Sequence, residues 1–148
     1  MLDYDLKPIE GTAPKACTRK ATLHLRHSED RTPVMMSKNA LGKPLYLCAG
    51  CCALVRACAW MRRNGIAPTS QTQVGTLARV MQSPHGYEPP KFAHDAMNSG
   101  NVWHFLRAWQ KMGLVMRKER AGVAVYALKD ACPDCMGRGV HSEDCALS

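Results

Sequence analysis

The apolar pattern changes period along the chain, and each change marks an element. Residues 1–16 carry Pro8, Gly11 and Pro14 without any repeat and read as an extended arm. Residues 21–26 alternate polar and apolar, the period of a strand with one buried face. A turn at 29–33 leads to a second strand at 34–36, and a loop at 39–44 leads to a third at 45–47. A helix then runs from Cys48 to about Asn64, where Gly65 can take the left-handed cap conformation.

After a linker at 66–70, in which Thr69 or Ser70 can cap the next element, the period becomes helical. Val74, Leu77, Ala78 and Met81 fall at i, i+3, i+4 and i+7 of a helix over 71–82, a stripe that suits a core. A Pro/Gly loop over 83–90, a short helix over 91–97 and a turn at 98–100 follow. The third long helix, 101–112, places Val102, Leu106 and Trp109 on one face and ends at Gly113. Strands at 115–118 and 123–128 then form a hairpin across Glu119, Arg120, Ala121 and Gly122. The expected class is α+β in three parts: residues 1–66, 67–130 and 131–148.

Composition adds two constraints. Hydrophobic residues make up 46% of the chain but aromatic residues only 6%, so any core is built from Leu, Val, Ala and Met. The parts at the two ends are each too small to be held by apolar burial alone, since modules below about 70 residues usually need a metal or disulfides. No basic start followed by an apolar run is present, and no apolar stretch reaches the length of a membrane span. Eight cysteines in such a chain are expected to be metal ligands in a cytoplasmic protein with no membrane partner.

The clearest ligand set is Cys132, Cys135, His141 and Cys145, with Gly137 and Gly139 letting the chain fold back between them. This run resembles the retroviral-type zinc knuckle in its span and in the glycine position before the histidine. It departs by one residue in the placement of His141. Its Cys-x-x-Cys-x-Gly-x-Gly portion also resembles half of a chaperone-type zinc module, which would draw partner cysteines from elsewhere. A second set is Cys17 with Cys48 and Cys51, the latter pair lying between a strand and a helix. That placement resembles the second ligand pair of a treble-clef zinc finger, where the helix N-terminus favours thiolate. The fourth ligand is open among His24, His27 and Cys52, with His24 preferred. Cys58 falls mid-helix and reads as a buried small apolar residue. Two structural zinc ions are expected, with no position left open for catalysis.

Charge then suggests a partner. The net charge is +8, with 11 Lys/Arg against 5 Asp/Glu in residues 1–66 and 8 against 4 in 67–130. A basic surface suits phosphate. Three helices followed by a hairpin, with Trp109-Gln-Lys-Met-Gly-Leu-Val-Met-Arg117 at the end of the third helix, resemble a winged helix-turn-helix over about residues 70–129. The resemblance implies that the third helix enters a DNA major groove. Its outward face would be Asn98, Ser99, Asn101, His104, Arg107 and Lys111, while Arg117, Lys118 and Arg120 of the hairpin would join Lys111 on phosphate. Trp103 lies off the apolar stripe and is expected to pack. The expectation is a zinc-stabilised DNA-binding regulator with no enzymatic activity. The alternative is a protein-binding adaptor or inhibitor, for example of a polymerase or nuclease, docking through the same modules.

Overall fold

The computed structural model describes residues 5–19, 30–89 and 99–137, with the backbone alone at Ser99 and Gly100. It is a small α+β fold with the order β1 (Met35–Lys38), β2 (Pro44–Leu47), α1 (Ala49–Arg63), α2 (Gln71–Gln82), α3 (Ser99–Lys111), β3 (Val115–Arg120) and β4 (Val123–Leu128). Two compact units divide the chain, Met1–Ala78 and Arg79–Ser148, with the boundary inside α2. The strand expected at 21–26 and the short helix expected at 91–97 lie outside the described residues. None of the described helices is long and apolar enough to cross a membrane.

In the first unit β1 and β2 pair antiparallel, Met36 opposite Tyr46. The arm borders both outer edges of this hairpin. Lys7 exchanges backbone hydrogen bonds with Met36, and the Thr18 N–H donates to the Tyr46 carbonyl at 2.9 Å. The arm therefore carries Cys17 along β2, whose end leads straight into Cys48. In the loop between the strands, the Asn39 side chain accepts from the Leu41 and Lys43 N–H groups.

Helix α1 begins after an extended Cys48 and ends at Arg63, with Asn64 as its cap and Gly65 beyond it at φ +76°. Ile66 N–H donates to the Met61 carbonyl and Gly65 N–H to that of Arg62, the paired bonds of a left-handed helix cap. Cys58 is fully buried, as its mid-helix position predicts. Ser70 caps α2: its Oγ accepts from Gln73 N–H at 3.1 Å, while Gln73 Oε1 accepts from Thr69 N–H at 2.8 Å. The bond from Gln73 N–H to Ser70 Oγ makes Ser70, of the two candidates, the cap.

In the second unit, Val102, Leu106 and Trp109 of α3 are buried together, as the period predicts. Trp103 sits edge-on to Tyr126 with ring centroids 6.1 Å apart, so it packs. The hairpin is tighter than expected. Glu119 and Arg120 pair with Ala124 and Val123, leaving a two-residue turn at Ala121 (φ 53°) and Gly122 (φ 77°). Such turns match the right-handed twist of the strands, and that gain offsets an alanine in the left-handed region. Tyr87 adds an antiparallel bridge to Tyr126 on β4. Gly86 has φ +104°, a backbone conformation that favours glycine, and a Cβ there would meet Met136 Sδ and Val125 Cβ at an ordinary contact distance of 3.4 Å. Ala131 and Met136 share a buried cluster with Val125 and Ala127. Over its described part, the C-terminal segment thus uses the hairpin's core.

Candidate metal centre and nucleic-acid interface

Three of the cysteines converge in the first unit. Cys17, Cys48 and Cys51 are buried, and their sulfurs all lie within 4.8 Å of one another. Among the described residues this is the one such group of three or more. Cys51 Sγ is 3.5 Å from the sulfurs of both Cys17 and Cys48. A disulfide would bring two of them to about 2.05 Å. Tetrahedral zinc with Zn–S near 2.3 Å sets sulfurs about 3.8 Å apart, so the two separations from Cys51 need only a few tenths of an ångström of opening. The group could hold a metal ion.

Local structure explains the convergence. Cys48 is the residue before the first turn of α1, has no side-chain cap hydrogen bond, and is followed by a first turn without acidic residues. Cys48 and Cys51 thus lie at the positive end of the helix, where the dipole favours thiolate. Cys17 arrives from the arm, its N–H donating to the Arg31 carbonyl at 2.7 Å. Burial pushes the Cys51 thiol up to about 12, and hydrogen bonds with Cys17 and Cys48 add to the rise, while Arg19 opposes it. Burial also raises Cys52. Without a metal Cys51 is a neutral thiol, and a bound cation would displace its proton.

The expected fourth ligands fare unequally. Cys52 lies in the same buried cluster but stands outside the group of three, with its thiol directed at the Leu47 carbonyl 3.8 Å away. His24 and His27 lie outside the described residues. Sequence reasoning missed Arg19. Its Nε donates to Cys51 Sγ at 2.9 Å, and the residue is only 9% exposed. The one available signal was its position two residues after Cys17.

At the other end, Cys132 and Cys135 are both buried and packed together, and the pair could hold a metal ion. The turn is closed by Met136 N–H to the Cys132 carbonyl at 2.7 Å and Cys132 N–H to the Gly137 carbonyl at 2.8 Å. Met136 has φ 62°, a conformation that lets its buried side chain reach the hairpin core. His141 and Cys145 lie outside the described residues.

The predicted nucleic-acid residues fall into two sets. On α3, Asn101, His104, Arg107 and Lys111 are exposed, opposite the buried Val102, Leu106 and Trp109. His104, Arg107 and Lys111 line an open groove with Ala108 and Gln110. The Arg107 guanidinium lies over the Trp103 ring at 5.8 Å. Asn98 is outside the described residues, and Ser99 begins the helix. The hairpin cations are engaged within the unit. Lys118 Nζ donates to the Asp134 carbonyl, Arg120 donates to the Cys135 carbonyl at 3.4 Å, and Arg117 pairs with Glu119 at 3.3 Å. No aspartate or glutamate occurs in α1, α2 or α3.

No protein-family model, curated protein or solved structure matches this chain.

Proposed function

We propose that the protein is a zinc-stabilised nucleic-acid-binding protein, a DNA-binding transcriptional regulator, with α3 as the reading element. The observation that carries this reading is the exposed face of α3, where Asn101, His104, Arg107 and Lys111 stand together on a helix without acidic residues. Asparagine and arginine can pair bidentately with adenine and guanine edges, and lysine suits phosphate. A cation–π contact with Trp103 restricts the Arg107 guanidinium before any partner arrives. The winged-helix reading gains support from the order α2, Tyr87 bridge, α3, β3, β4, in which Tyr87 makes one antiparallel bridge to the two-stranded hairpin.

Zinc is the metal that the three sulfurs suit, by ligand type and by spacing. Its role in this reading is structural: it ties the arm, the end of β2 and the start of α1. A second zinc at Cys132 and Cys135, completed by His141 and Cys145, follows from the ligand spacing of the sequence.

A protein-docking role is favoured by one observation: Lys118 and Arg120 are already bonded to carbonyls of the cysteine turn. Salt separates the two readings. DNA binding should weaken linearly in log–log terms, by about 0.9 per phosphate contacted, whereas a largely apolar protein interface should not. Arg107→Ala should keep the fold and lose about 1–3 kcal/mol of DNA binding. Parent protein with no salt-sensitive binding to any duplex would replace this reading with the adaptor.

A further inference from the structure

Arg19 brings a fixed positive charge to the sulfur cluster. A guanidinium remains protonated throughout the range in which proteins stay folded, and its N–H groups have fixed directions. Here Nε–H meets Cys51 Sγ at 2.9 Å in a buried setting, where the interaction is little screened by water. A divalent ion held by three thiolates carries a net charge of −1, which the Arg19 guanidinium on Cys51 Sγ offsets at the sulfur itself, while the Arg31 guanidinium donates to the Cys17 backbone carbonyl at 3.3 Å. Cys52, the further thiol of that cluster, lies outside the group and donates to the Leu47 carbonyl.

Resting on the metal reading above, we propose that Arg19 is the counter-ion of a three-thiolate metal centre formed by Cys17, Cys48 and Cys51, whose remaining coordination position takes a neutral ligand, a nitrogen or a water oxygen. Arg19 touches the metal only through Cys51, so it is a positioning residue. Its hydrogen bond fixes the direction of the sulfur and draws charge from it. Cys51 is therefore the least nucleophilic of the three thiolates, and Cys17 and Cys48 react first with electrophiles. Removing the donor leaves the ligands in place but raises the charge and reactivity of the centre.

The test uses the full chain loaded with cobalt(II) or zinc(II). Cobalt-loaded parent should show sulfur-to-metal charge transfer of three-thiolate intensity and ligand-field bands of a mixed sulfur and nitrogen or oxygen set. Limited alkylation of the zinc form, mapped by mass spectrometry, should label Cys17 and Cys48 ahead of Cys51. Arg19→Gln should lower metal affinity by roughly 10- to 100-fold and hasten metal release on alkylation, with Arg19→Lys recovering part of both. Four-thiolate spectra, or Cys51 labelled first, would overturn the assignment without any variant. So would parent-like affinity and release in Arg19→Gln. Parent that takes up no metal at Cys17, Cys48 and Cys51 defeats the metal reading itself, which is a different failure.

Discussion

Replacing Cys17 by serine tests whether the first unit depends on metal. The buried cluster at the site is Cys17, Leu47, Cys48, Cys51, Cys52 and Val55, so most of it is cysteine. Leu47 and Val55 contribute about 1.5–3 kcal/mol each by burial, and the partly buried Leu6, Met35 and Leu45 packed against them add a smaller amount each. A structural zinc contributes about 10–16 kcal/mol in small modules. The metal term therefore outweighs the local apolar term. Losing one of three thiolates removes about a third of it, roughly 3–5 kcal/mol. That is between about a hundredfold and a few thousandfold in zinc affinity. Serine nearly matches the size of cysteine, so packing loss contributes little. The assay is competition against a chromophoric zinc chelator, with far-UV circular dichroism following α1. Cys58→Ser is the control: it alters a buried cysteine outside the group and should keep the zinc. Parent-like zinc stoichiometry and affinity in Cys17→Ser would refute the reasoning, because the arm would then not be tied to the helix through metal.

Three further outcomes are expected. Leu106→Ala should lower stability by about 2–5 kcal/mol in a thermal or urea melt, since Leu106 is fully buried in α3. Ala121→Gly should raise stability by about 1 kcal/mol, because φ at Ala121 is 53° and glycine adopts that region without the steric cost. Zinc affinity, measured by chelator competition, should rise from about pH 6 to pH 8 and fall on acidification. Burial holds the Cys51 thiol at about 12, so the incoming metal displaces its proton, and fewer protons in solution favour that exchange. A pH-independent affinity would argue against thiol ligation.

Much of the backbone was legible because the signals were local. Gly65 and Gly113 stop α1 and α3 with positive φ, and the 3.6-residue period finds the buried Val102, Leu106 and Trp109. The meeting of Cys17 with Cys48 and Cys51 was also legible, since a Cys-x-x-Cys between strand and helix requires partners and Cys17 precedes the strands. Other features depend on contacts that no local pattern records. Arg19 meets Cys51 across 32 positions of sequence and belongs to no ligand motif. The arm pairs with β1 at Lys7 through backbone groups, which side-chain periodicity does not report. The two-residue hairpin turn was hidden because alanine is not a left-handed turn signal. The hairpin cations read as phosphate contacts because charge alone does not say which acceptor a side chain meets.

That last point changes where binding strength would come from. Lys118 and Arg120 hold the carbonyls of the cysteine turn, and Arg117 faces Glu119. The Lys118–Asp134 and Arg117–Glu119 side chains are each more than a third exposed, and pairs of that kind contribute only about 0–1 kcal/mol. A phosphate could compete for them at little cost. The carbonyls of Asp134 and Cys135 would then lose their donors, and those donors help hold the turn that carries both C-terminal cysteines. Phosphate contact by the hairpin and anchoring of the turn therefore draw on the same two side chains. The α3 face has no such conflict for Arg107, which is exposed and whose guanidinium lies over the Trp103 ring, 5.8 Å from its centroid. On this argument the net charge of +8 overstates the cations ready for a polyanion, and α3 rather than the hairpin carries the nucleic-acid reading.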